Sequence, residues 1–133
     1  MDKELLKKIA DLGEKIGHVF VVTADASGVP HLAVARELTS PAKGRVAVKA
    51  WFCQGTVSNI QENPQINLSV WDPKMDIGYQ LIGEIENVEE LALLDGYIPK
   101  LAELPLPQSE RRLIIRVDKV VAFSQKAHYD QEI

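Results

Sequence analysis

The chain has 133 residues, 46% of them hydrophobic, and a formal net charge of −4, a size and composition that suit one domain with a real core. Acidic and basic residues are mixed throughout, so no basic stripe indicates a nucleic acid or an anionic membrane as partner. A single cysteine, Cys53, excludes an internal disulfide, and neither a signal-peptide layout nor an apolar stretch of membrane length is present. We therefore expect one cytoplasmic domain over residues 1–133.

The first elements are predicted to be a helix and a β-hairpin. Apolar residues recur at helical spacing between Asp2 and Gly17, with charges between them. The period then changes to two, which predicts strands at 18–24 and 30–38 around a turn at 25–28. Four alternate residues of the second strand should share one face, so that an arginine falls among apolar side chains: Leu32, Val34, Arg36 and Leu38.

The remainder of the chain is predicted to be mostly strands. In order, the predicted elements are a turn at 41–44, a strand at 45–51, a loop and a short helix near 59–62, a strand at 65–71, a loop at 72–78, a strand at 79–88 interrupted by Gly83, a short helix at 89–94, an irregular connection at 96–108, and a strand at 111–123 before a polar tail. Six or so strands in hairpin order favour an antiparallel barrel over a parallel α/β sheet. The predicted class is mainly β, with short peripheral helices and an N-terminal amphipathic helix.

The loop that begins at Cys53 has two interpretations. A helix N-terminus attracts phosphate, and Gly55, Thr56 and Ser58 would add close backbone approach and hydroxyl donors. Alternatively, Ser58 and Gln61 form a capping box that simply satisfies the start of the helix. From the residues alone, the cap is the commoner case, and both interpretations stay open.

The order of elements resembles a known family. The residues that carry the resemblance are the hairpin with Gly28-Val29-Pro30-His31, the strand ending at Arg36, the strand at 44–50, the Asn63-Pro64 stop and the stretch at 78–84. Together they resemble the FMN-binding split-barrel family, which includes pyridoxamine 5′-phosphate oxidase and the small bacterial FMN-binding proteins. The resemblance covers residues 17–88, and the strand at 111–123 corresponds to the closing strand of the barrel.

The resemblance implies an antiparallel split β-barrel and a homodimer that holds FMN in clefts between its subunits. It implies that Arg36, Glu37 and Leu38 run past the flavin ring and ribityl chain, with Arg36 reaching the phosphate, and that Lys49 and Ala50 contact the ring. The basic phosphate-binding pair of the oxidase falls on Gly55 and Thr56, so that cation is missing here. Thr56 and Asn59 instead match the small FMN-binding branch, and Ser58 completes the implied phosphate loop.

Other residues have weaker claims to a role. An aromatic ring could stack on a flavin, and Trp71 is a better candidate than Trp51 or Tyr79, although each is more often core or interface. Cys53 is more often a buried small residue than a reactive thiol. The three histidines have no metal-ligand spacing, and we expect no catalytic role for His31.

Three functions follow from the resemblance. The first is an FMN-dependent oxidoreductase with an unknown small-molecule substrate. The second is a non-enzymatic FMN-carrying or electron-transfer module. The third is a barrel that has lost FMN and binds another ligand, such as the deazaflavin F420, or a protein partner, which the missing cation would favour.

Overall fold

The computed structural model describes residues 2–94, 108–126 and 129–133, which form two helices and an antiparallel sheet. The elements are α1 (Lys3–Ile16), β1 (Val19–Ala24), β2 (Pro30–Ala35), β3 (Glu37–Ala42), β4 (Arg45–Phe52), α2 (Gln54–Glu62), β5 (Gln65–Asp72), β6 (Ile77–Leu94), β7 (Gln108–Ser124) and β8 (Tyr129–Glu132). The connection predicted at 96–108 lies outside the described residues apart from Gln108, which begins β7, and so does His128 of the tail. Neither helix is long and apolar enough to cross a membrane.

The sheet curves into a barrel that stays open along one seam. Its strand order is β2-β1-β5-β6-β7-β4-β3, and β8 pairs with the free edge of β7 beyond β4. Within the described residues, β2 lies beside β4 without pairing with it. The predicted mainly β, antiparallel split barrel is confirmed, with eight strands in the described part of the chain where six or so were predicted.

The core follows the alternation in the sequence. Along β1, β5 and residues 113–117 of β7, every second side chain points inward and is buried; the apolar ones are Val19, Val21, Ile66, Leu68, Val70, Leu113, Ile115 and Val117. Helix α1 covers the core with Leu6 and Ile9, which are fully buried. It begins where Asp2 accepts a hydrogen bond from the Glu4 N–H, and it ends at Gly17 with a φ of 93°.

The predicted strand at 30–38 is broken at Arg36. The break separates β2 from β3 and shifts the alternation of buried side chains by one residue. Ala35 is the last residue of β2 and is buried, and the next buried residue is Leu38 on β3. Leu32 and Val34 are consequently 61% and 58% exposed, and the prediction that they share a face with Leu38 is wrong. Because the break releases Arg36 from both strands, its side chain lies at the surface.

The predicted helix at 89–94 is also wrong, because β6 continues as a strand to Leu94. Its residues pair with β7, with a shift in register between Glu90 and Ala92. Glu89 lies opposite Arg112, and the two side chains form an ion pair at 3.3 Å. The polar tail also contributes a strand, since β8 pairs with β7. The irregularity predicted at Gly83 is confirmed as a shift in register between β6 and β7.

Candidate functional site

An open groove lies between the β2–β3 break and strand β4. Strands β3 and β4 pair with Glu37 opposite Lys49 and Leu38 opposite Val48. Because side chains alternate along a strand, Leu38 and Val48 point into the core, while Glu37 and Lys49 point outward. The groove has a volume of about 400 Å³, and its lining residues are Val34, Ala35, Arg36, Glu37, Lys49, Ala50, Trp51 and Glu110.

This groove brings together four of the residues predicted for the cofactor: Arg36, Glu37, Lys49 and Ala50. Leu38 lines the adjacent groove together with Arg36 and Glu37, although its side chain is buried. The strand pairing of a hairpin explains the cluster, since residues on either side of the turn at 43–44 must return opposite one another.

The groove carries both signs of charge. Lys49 Nζ lies 3.4 Å from a carboxylate oxygen of Glu37, and both side chains are partly exposed. Within the described residues, Arg36 forms no ion pair, so its guanidinium is available to an anionic ligand. In the described part of the chain, the cations of the groove are thus Arg36, which has no ion-pair partner there, and Lys49, whose surface pair with Glu37 is weak.

Helix α2 begins five residues earlier than predicted. Its N-cap is Cys53, and no side chain caps the first turn. The predicted capping box is therefore wrong, because Ser58 lies within the helix, exposed in its second turn. In an α-helix the first N–H groups have no partner inside the helix, and the earliest intrahelical bond here runs from the Val57 N–H to the Cys53 carbonyl at 3.2 Å. The first turn of α2 thus offers backbone donors to an anion.

Thr56 and Asn59 attach α2 to the β1–β2 hairpin. The Asn59 side-chain amide donates to the Thr23 hydroxyl at 3.1 Å, and both side chains are buried. The Thr56 hydroxyl, fully buried, lies 3.4 Å from His31 Nδ1 and 3.3 Å from Cys53 Sγ. In this chain the two predicted ligands face inward, and they fix the position of the helix start.

His31, to which the sequence interpretation gave no role, packs against the start of α2. A Cβ built on Gly55 would lie 2.7 Å from His31 Nε2, so a larger residue at position 55 would require the ring to shift. His31 and Gly55 are far apart in sequence, and no short motif connects them. The sequence carries only part of the signal, since the predicted hairpin places His31 opposite Thr23. The contact of Asn59 with Thr23, which brings α2 to this hairpin, is seen only in the structure.

The three aromatic candidates lie in different environments. Trp51 is 43% exposed and lines the groove, whereas Tyr79 belongs to the core. Trp71 lies at the end of β5 far from α2, where its indole N–H donates to Asp76 at 3.4 Å. Within this single chain, Trp51 is therefore the tryptophan that lines the groove. Trp71 does not line it, because it lies near the end of β5 that leads into the β5–β6 turn.

Comparison with known proteins identifies the family. Residues 5–122 match the family model described as pyridoxamine 5′-phosphate oxidase. The chain belongs to this family. The resemblance first visible in the hairpin and the Asn63-Pro64 stop is thus confirmed for the pyridoxamine 5′-phosphate oxidase family.

Individual relatives are more distant. A curated protein of Methanocaldococcus jannaschii, described as uncharacterized, is 36% identical over 87 residues, which are 64% of this chain and 54% of that protein. The matched part of the chain thus spans about half the length of the Methanocaldococcus jannaschii protein.

Two solved structures of the pyridoxamine 5′-phosphate oxidase family are similar in fold. One is a protein of Clostridium acetobutylicum related to general stress protein 26, with a TM-score of 0.65 and 18% identity over 100% of this chain and 96% of that one. The other is an FMN-binding protein of Nostoc punctiforme related to pyridoxamine 5′-phosphate oxidase, with a TM-score of 0.63 and 8% identity over 98% and 94% of the chains. At these identities the likeness concerns the fold.

Proposed function

We propose that this protein is an FMN-dependent oxidoreductase that acts on a small molecule in the cytoplasm. The observation that carries the proposal is the groove, where Arg36, Glu37, Lys49 and Ala50 lie together on an open face of a chain of the pyridoxamine 5′-phosphate oxidase family. FMN, when bound, supplies electron and hydride transfer, while the protein supplies position and electrostatics.

The residues fit the two chemically different parts of FMN. The planar ring and ribityl chain need a shallow apolar cleft with a few polar groups, and the groove offers Val34, Ala50 and Trp51 beside Glu37 and Lys49. The phosphate needs donors and positive charge. We assign it Arg36 and the first turn of α2 at Gly55, with the hydroxyl of Ser58 on the exposed side of that helix.

Thr56, Asn59 and Trp71 have different parts in this proposal. Thr56 and Asn59 are positioning residues, because their side chains bond to His31 and Thr23 and so orient the turn that carries the backbone donors. Trp71 would meet a flavin only across a subunit boundary, since it lies away from the groove of its own chain.

The proposed assembly is a homodimer with the cofactor cleft between its subunits. Leu32 and Val34 on β2 and Trp51 near the end of β4 are exposed apolar side chains, and Val34 and Trp51 also line the groove. Exposed contiguous apolar side chains are typical of protein interfaces. A second copy on this face would cover the apolar side chains and also close the groove over a bound ring.

The decisive experiment is the visible absorption spectrum of the purified protein, followed by titration with FMN and, separately, with riboflavin. We expect a flavin band and tighter binding of FMN than of riboflavin, because only FMN carries the phosphate. A colourless protein that binds neither would overturn the proposal and direct the search to F420 or a protein partner. Turnover with reduced nicotinamide and an electron acceptor distinguishes the oxidoreductase from a non-enzymatic FMN carrier.

A further inference from the structure

The ring of His31 occupies the space in which a side chain of residue 55 would begin. A Cβ on Gly55 would lie 2.7 Å from Nε2, 3.1 Å from Cδ2 and 3.3 Å from Cε1 of His31. Position 55 is where the resemblance expects the first residue of the oxidase's basic phosphate-binding pair, and here it is glycine. A group from β2 thus fills the place of the missing basic side chain on α2.

The two edges of the imidazole face different surroundings. Nδ1 lies 3.4 Å from the hydroxyl of Thr56, which is fully buried. Nε2 lies against Gly55 and 3.9 Å from Cys53 Sγ, and both of these residues are exposed. The inner edge is therefore fixed by a hydrogen bond, while the outer edge reaches the surface at the first turn of α2.

We propose that His31 replaces the missing basic residue and binds the phosphate of the flavin through its protonated imidazole, together with the backbone N–H groups that begin α2. The inference rests on the proposed function, and it adds a residue and a pH dependence to that site. Gly55 has a matching role, because any larger residue would displace the ring. Thr56 orients the ring so that Nε2 faces the ligand.

The charge around His31 allows this role. Strand β1 pairs with β2 and has no titratable residue. The elements α2 and β4 also contact β2, and their titratable residues are Cys53 at the cap, Glu62 in the last turn of α2, and Arg45 and Lys49 on β4. The Glu62 carboxylate accepts from the Ala26 N–H at the far end of the helix. Of these titratable groups, the one recorded in contact with the ring is the Cys53 thiol, whose Sγ lies 3.9 Å from Nε2.

The direction of the pH effect follows from the charge of the bound form. A positively charged imidazole attracts a phosphate more strongly than a neutral one, so protonation of the ring as the pH falls strengthens phosphate binding. The phosphate itself gains its second proton near about pH 6, which acts in the opposite sense. A comparison of wild type with a variant at the same pH removes the contribution of the ligand, because both proteins then meet the same phosphate.

The test is the affinity of the full chain for FMN and for riboflavin, in wild type and His31→Gln, at about pH 6 and about pH 8.5. We expect His31→Gln to weaken FMN binding about 10-fold at the lower pH. We expect little difference between the two proteins at the higher pH, and none for riboflavin at either. A double variant, His31→Ala with Gly55→Lys, should restore FMN binding and remove its dependence on position 31.

The outcomes separate the two proposals. If wild type binds FMN and His31→Gln binds it equally well at about pH 6, the inference is overturned while the flavin site stands. An equal loss of FMN and riboflavin affinity in His31→Gln would also overturn it, because that pattern is one of damaged structure. If wild type binds neither flavin, the proposed function fails and the assignment of His31 fails with it.

Discussion

Gly83 on β6 lies directly against the backbone of Arg116 on β7, at the point where the pairing of the two strands shifts register. A Cβ at position 83 would overlap the Arg116 carbonyl oxygen and lie 2.9 Å from its carbonyl carbon. Backbone atoms in a paired strand cannot rotate away. We therefore expect Gly83→Ala to lower the free energy of unfolding by about 1–3 kcal/mol, measured by urea denaturation.

The control for Gly83→Ala is Gly28→Asn. Gly28 has a φ of 87°, and nothing lies within 4 Å of a Cβ built there. Asparagine tolerates this backbone region, so the free energy of unfolding should change by less than about 0.5 kcal/mol. Equal unfolding midpoints for the two variants would contradict the close approach of β6 and β7.

Asp76 links the β5–β6 turn to the end of β7. Its carboxylate accepts from the backbone N–H groups of Gln125 at 2.7 Å and Lys126 at 2.9 Å. The bond from Gln125 and then that from Lys126 hold the pKa of Asp76 below its usual value. Because the folded pKa is lowered, the stabilisation is present above the unfolded pKa and is lost as pH falls through the folded one.

We therefore expect Asp76→Asn to lower the thermal midpoint at neutral pH, with the difference from wild type shrinking as the pH falls below about 4. Asparagine suits the test, since Asp76 has a φ of 52° and asparagine also adopts positive φ. Asp11→Asn, on the exposed side of α1, controls for the loss of one negative charge. A difference between wild type and Asp76→Asn that persists unchanged in acid would refute the linkage.

The fold was predictable where burial alternates along a strand. Ile66, Leu68 and Val70 are buried on one face of β5, as their period of two indicates. The stretch at 89–94 was not predictable, because its glutamates, leucines and alanine suit a helix, yet pairing with β7 makes it a strand. The break at Arg36 likewise has no glycine or proline to mark it.

A buried polar contact of Asn59 joins helix α2 to β1. The Asn59 amide donates to the Thr23 hydroxyl, and both side chains are withdrawn from water. Asn59→Ala would leave that hydroxyl without this partner, so we expect a loss of about 1–3 kcal/mol in the free energy of unfolding, measured with urea. Ser58→Ala, one residue earlier and exposed, should change it by less than about 0.5 kcal/mol. Matching losses in the two variants would show that the contact does not stabilise the protein.

The candidate site was predictable only in part. The family resemblance grouped Arg36, Glu37, Lys49 and Ala50, and the predicted hairpin agrees with that grouping because strand pairing across a turn is a local property of the chain. The contact of His31 with Gly55 depends on how α2 packs against β2, which no local pattern records. The helix start at Cys53 was missed because Gly55 and Thr56 resemble a loop, although both are helical.

Lys49 should contribute to flavin binding more than to stability. Its pair with Glu37 lies at the surface, where ion pairs add about 0–1 kcal/mol. We expect Lys49→Gln to weaken FMN binding about 10-fold, measured by quenching of flavin fluorescence, while the free energy of unfolding stays within about 1 kcal/mol of wild type. Arg45→Gln is the matched control, since Arg45 lies on the same strand but pairs with Glu86 at 2.8 Å. Equal FMN affinity in the two variants would remove Lys49 from the site.

The proposed dimer predicts the effect of a charge on the exposed apolar face. Val34 is 58% exposed on β2 and lines the groove together with Trp51. A lysine there would have to lose its water when a second copy covers the face, which is unfavourable for an unpaired charge. We expect Val34→Lys to shift the molar mass measured by light scattering from dimer to monomer and to weaken FMN binding in parallel. Met75→Lys, 61% exposed in the β5–β6 turn, should leave both unchanged. A Val34→Lys protein that remains dimeric and binds FMN normally would place the interface elsewhere, and the groove would then have to hold its ligand within one chain.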